Sequence, residues 1–258
     1  MKLIDGYVRS PLAGLAPWIL MAVLNGTGKF EEAASAALGL SLLTLWVGKR
    51  RGAAVHLLEA FTVAYFGLLA ILGLVASDGA IEWLQMWAGE VSNIALAVFA
   101  IVTLAFRRPF TLAYAKDATP QELWDNPVFL RINYVLSAVW AGAFVFSALV
   151  GAYGDAVLRD NDNFWTGWIL QIGAMIFAVS FTEFYPDYAT GETSSVLRAF
   201  DWLPPFVVVT GIVGWVTDAL SDAVGIALIA VGVVASAVLR RLIPDDAVSG
   251  ELTSAGGD

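Results

Sequence analysis

GKRRGAAVHLLEAF, residues 48–61, puts three cations in a row at the mouth of an apolar run. No further charge follows Glu59 until Asp78. The pattern reads as the cytoplasmic edge of a membrane span, because Lys and Arg gather on that side. Within the run stand the only histidine, His56, and a carboxylate, Glu59.

The whole chain fits this boundary. Of its 258 residues 59% are hydrophobic and 14% charged, against roughly 25% charged in a soluble domain. Ten Trp and fifteen Phe exceed what a soluble core needs. There is no cysteine, which excludes disulfides, thiolate metal sites and a Cys nucleophile. One histidine excludes a two-His metal site. No cofactor, no metal and no nucleic-acid partner is expected. The opening MKLIDGYVRS is too polar for a secretory signal. GTGK at 26–29 lacks the glycine spacing of a phosphate loop.

A crossing helix needs roughly 20 apolar residues. Eight segments qualify: 11–25, 31–47, 52–76, 90–106, 132–153, 164–185, 203–219 and 223–241. With the N-terminus inside, twelve cations fall on the cytoplasmic side: Lys2, Arg9, Lys49, Arg50, Arg51, Arg107, Arg108, Lys116, Arg131, Arg198, Arg240 and Arg241. Only Lys29 and Arg159 fall outside. The outer loops carry Glu31, Glu32, Asp78, Glu82, Glu90, Asp155, Asp160, Asp162 and Asp222, so most of the net charge of −9 faces outward. The expected fold is all-α: a polytopic bundle of eight transmembrane helices with both termini cytoplasmic. Residues 1–241 form one transmembrane domain, and 242–258 a disordered acidic cytoplasmic tail.

The longest cytoplasmic loop, 107–131, alternates Phe110, Tyr114, Trp124 and Phe129 with charges. It predicts two short interfacial helices, one starting at Pro109 and one capped by Thr119, with Glu122 completing a capping box. Arg107-Arg108-Pro109, Trp124, Arg131-Ile132-Asn133 and Trp140 also resemble the intracellular septation protein A family. There a basic–Pro pair ends one span, and an Asn-to-Trp motif opens the next. That spacing is longer here. Trp18 through Lys29, Lys49–Arg51 and Trp165 follow the family's order. The resemblance covers roughly residues 11–188, and 203–241 has no counterpart in short family members. It implies a bacterial inner-membrane protein of envelope and septum integrity, without catalytic residues. Its expected partners are membrane lipids, further copies of itself or other envelope proteins.

Ionisable groups inside spans are costly and face a bundle interior. His56 and Glu59, three apart, share a helix face. Counted from Gly52, Glu59 lies roughly 10 Å into its span. Arg107, Arg131, Asn133 and Glu183 reach a similar depth, so the candidate site is an inner-leaflet cluster of these six. It reads either as a proton or substrate site, making the chain a transporter or channel for a small solute or lipid, or as a structural contact between helices. Gly211, Gly214, Gly225 and Gly232 predict close packing of the last hairpin.

Overall fold

The computed structural model describes residues 11–25, 29–160, 163–193 and 195–243. Lys2, Arg9, Asp162, most of the GTGK stretch and the tail from 244 onward lie outside these. Among the described residues the structure is helical, without strands. The helices are α1 (Pro11–Asn25), α2 (Phe30–Arg50), α3 (Leu57–Val75), α4 (Asp78–Ala105), α5 (Phe110–Ala118), α6 (Pro127–Tyr153), α7 (Leu170–Thr190), α8 (Leu203–Val216) and α9 (Asp222–Leu242). π-helical turns at Gly154–Leu158 and Phe164–Ile169 follow α6 and precede α7.

Seven helical segments are long and apolar enough to cross a membrane: α2, α3, α4, α6 with its π turn, α7 with its π turn, Val196–Val216 and α9. The chain is therefore a multi-pass membrane protein by its helices. The expected first span, α1, has 15 residues. At about 1.5 Å per residue it is shorter than a hydrocarbon core of roughly 30 Å.

The chain divides into two compact units, Met1–Gly167 and Trp168–Asp258. In the first, α1 packs on α2, α2 on α3, and α4 on α6. Ala33, Ala34 and Ala37 of α2 have no exposed surface, and such small residues admit close neighbours. Trp18 of α1 is buried. It stacks on Tyr65 at 4.6 Å between ring centres and donates its indole N–H to Thr62 Oγ1 at 2.9 Å. Helix α6 buries Asn133, Ser137, Trp140, Phe144, Ser147 and Gly151, a stripe at helical spacing. Asn126 caps α6 by accepting from Val128 N–H at 2.9 Å, with Pro127 at the first helical position.

In the second unit α8 packs against α9. A Cβ built on Gly211 would stand 2.8 Å from the Gly225 carbonyl oxygen, and one on Gly232 2.6 Å from Val208 Cγ2. The glycines thus set how closely this hairpin closes.

Several boundaries differ from expectation. Helix α3 starts at Leu57, not Gly52, because Gly52 turns left-handed (φ 75°) and 53–56 runs without helix. Glu59 therefore sits in the first turn, not roughly 10 Å in. Helix α4 starts at Asp78, twelve residues before the expected 90, which places Glu82 and Glu90 on a helix rather than in an outer loop. Thr119 caps no second helix. A single 3-10 turn, Gln121–Leu123, follows Pro120, and the Thr119 carbonyl accepts from the Trp124 indole at 3.0 Å. Helix α7 continues through Pro186 to Thr190.

Candidate functional site

Helix α5 places Thr111, Tyr114 and Asp117 three residues apart, so they share one face. That face bridges two helices. At one end Thr111 Oγ1 donates to the Asn133 carbonyl at 3.0 Å and lies 2.9 Å from Ser137 Oγ, both on α6. At the other end Tyr114 donates its O–H to Glu59 Oε1 at 3.2 Å. Asp117 Oδ2 stands 3.0 Å from His56 Nε2. The Tyr114 ring meets the His56 ring edge-on at 4.3 Å.

His56 is the residue before α3, and Glu59 turns back to accept from its backbone N–H. This is the Glu half of a capping box, and it satisfies one of the orphan donors at the helix start. Both Glu59 oxygens are thus engaged. Burial, then the charge of Glu59 and its hydrogen bond, then the charge of Asp117 push the Tyr114 phenol far above its ordinary range. A hollow of about 20 Å³ beside Glu59 is lined by Gly14, Thr44, Gly48, Lys49 and Ala53 among others. It has room for roughly one water.

The six expected site residues separate as follows. His56 and Glu59 meet, joined by Tyr114 and Asp117. Asn133 is 2% exposed and touches the other end of α5 through its carbonyl. Its side-chain N–H donates to the Phe129 carbonyl at 2.9 Å, while its Oδ1 has no partner among the described residues. Arg107 and Arg131 are exposed at the rim. Glu183 is exposed and belongs to the second unit.

A second group escaped the sequence reading. Glu90 on α4 is 6% exposed, and its carboxyl lies beside that of Asp155 in the π turn after α6. The signal was Glu90 seven residues before Ala97, which is buried on the same helix face. Among the described residues no three His, Asp or Glu are grouped to hold a metal ion.

Comparison with protein-family models, with curated proteins and with solved structures finds no match to this chain. Its class rests on the fold: a helical multi-pass membrane protein in which polar groups at one end of the first unit clamp a short helix between two longer ones.

Proposed function

We propose that the chain is a non-enzymatic inner-membrane protein that organises the bacterial cell envelope or septum. In this reading α1 is a short eighth span and both termini are cytoplasmic. The observation that carries it is the use of His56 and Glu59. Both are occupied in holding α5, and the hollow beside them is small, about 20 Å³. A protein-binding scaffold needs a firmly held cytoplasmic face, and α5 supplies one. The resemblance over residues 11–188 supports the same role.

The test is depletion in the source cell, with septum and envelope morphology as readout. Wild type and Asp117→Ala are returned at equal expression. Rescue by wild type and its failure with Asp117→Ala support the reading. Normal septation and envelope permeability without the protein would sink it. The rival is a transporter working through the same cluster. Substrate or proton flux in proteoliposomes that Glu59→Gln abolishes would decide for it.

A further inference from the structure

The first unit is strongly polar from end to end. At the end where α2 and α4 finish and α5 and α6 begin stand Lys49, Arg50, Arg51, Arg107, Arg108, Lys116 and Arg131. The carboxylates there are Glu59, Asp117, Glu122 and Asp125. Two of these are turned inward, Glu59 onto Tyr114 and Asp117 onto His56. Among the described residues Lys49, Arg50, Arg107, Arg108 and Arg131 make no ion pair with a carboxylate. The opposite end carries Glu31, Glu32, Asp78, Glu82, Glu90, Asp155 and Asp160 against Lys29 and Arg159.

The cationic rim is interleaved with exposed apolar surface. The Arg50 guanidinium lies 5.1 Å from the centre of the Trp46 ring, and that indole is 55% exposed. Lys116 Nζ lies 4.8 Å from the Trp124 ring. Phe106, beside Arg107, is 76% exposed. Indoles and cations together mark the headgroup level of a bilayer.

Arg107 adds an observation of another kind. Helix α4 ends in a Schellman turn: Arg107 N–H bonds the Leu104 carbonyl at 2.9 Å, and Arg108 N–H bonds that of Thr103 at 2.8 Å. Arg107 is the left-handed residue, φ 57°. The equivalent residues after α2 and α7 are Gly52 and Gly191, which take this conformation without steric cost. At the end of α4 the chain instead keeps a cation, exposed and next to a protruding Phe.

We infer that this rim is a docking surface for anionic phospholipid headgroups, with Arg50, Arg107 and Arg108 as the phosphate contacts and Trp46, Phe106 and Trp124 as the interfacial anchors. The inference goes beyond the organising role and stands without it. Its basis is charge complementarity: the cytoplasmic leaflet is negative, and clustered Lys and Arg next to a span are drawn to it.

The experiment uses the full chain in nanodiscs that mix phosphatidylglycerol with phosphatidylcholine. Native mass spectrometry counts the lipid retained, and thermal unfolding reports the fold. Wild type is expected to retain phosphatidylglycerol preferentially. Arg107→Gly relieves the left-handed residue, so its unfolding temperature in pure phosphatidylcholine should not fall, while its preference drops roughly fivefold. Arg50→Gln with Arg107→Gly and Arg108→Gln should lower it on the order of a hundredfold. Lys29→Gln, at the other end, should leave it unchanged. Equal retention of the two lipids by wild type overturns the proposal without any variant. So does unaltered preference in Arg108→Gln and in the triple variant. Competition by millimolar inorganic phosphate that strips the lipid's effect would make a soluble anion the ligand, and would also overturn it.

Discussion

Glu59 offers two oxygens to two donors, the His56 backbone N–H and the Tyr114 hydroxyl. Glu59→Gln keeps one acceptor for His56, and its amide N–H can donate to a rotated Tyr114 hydroxyl. The expected loss is within about 1 kcal/mol. Glu59→Ala strips both partners and should cost about 1–3 kcal/mol. Unfolding of the purified variants in detergent checks both values. Tyr114 gives a pH dependence with a definite sign. Its phenol is pushed up by burial first and then by Glu59 and Asp117. The native state therefore holds this proton more tightly than the unfolded chain. The associated stability is fully present below the unfolded value near 10 and is lost as pH climbs from there toward the raised native value. Tyr114→Phe should be less stable than wild type at pH 7, and the gap should narrow above about pH 10. A gap that widens there would show the sign to be wrong.

Each helix was readable to the extent that its own sequence decides it. The apolar cores of α2, α3, α6 and α9 stood out because long uncharged runs leave no alternative in a bilayer. The start of α4 did not, because Glu82, Gln85 and Glu90 break the hydropathy that marks a span. What makes that stretch helical is burial of Leu84, Ala88 and Glu90 against the rest of its unit, and this contact is invisible in one dimension. Helix α5 was legible at its first residue, since Pro109 fixes the turn before it. The Thr119–Glu122 pattern misled because Pro120 is followed by too few helical residues for a box to close. The partners of His56 and Glu59 were missed for a similar reason: Tyr114 and Asp117 lie on a different helix, 55 residues or more further along. The last hairpin carries the clearest prediction at this scale. A Cβ on Gly232 would meet Val208 Cγ2 at 2.6 Å and the Pro204 carbonyl oxygen at 2.8 Å. Gly232→Ala should therefore cost about 1–3 kcal/mol by overpacking. Gly39→Ala on α2 meets nothing within 4 Å and should be neutral or mildly stabilising. Unfolding of the two variants side by side separates packing from a general intolerance of change.

At the scale of the whole chain, topology is the first thing to measure. With eight spans, reporter fusions after Ala118 and after Arg241 should both score as cytoplasmic, and one after Ser77 as external. A cytoplasmic score after Ser77 would invert the arrangement, and an external score after Arg241 would remove one span. Within the first unit, α1, α2 and α3 form one packed group and α4 with α6 another. The seam between them is crossed by Asn25 bonded to the Gln85 carbonyl, by Tyr65 with Ser92, and by the stacked rings of Phe61 and Phe99. Helix α5 crosses it too, fastened at both ends. In mechanical terms α5 is a tie-bar. A load that parts α3 from α6 at the end beside α5 pulls along it, so the Thr111 anchor and the Tyr114–Asp117 anchor carry the strain together and must yield together. A load at the opposite ends meets the seam contacts one after another, and each can give before the next is stretched. The unit should be stiff against tension in the leaflet that holds α5 and compliant against the same tension in the opposite one.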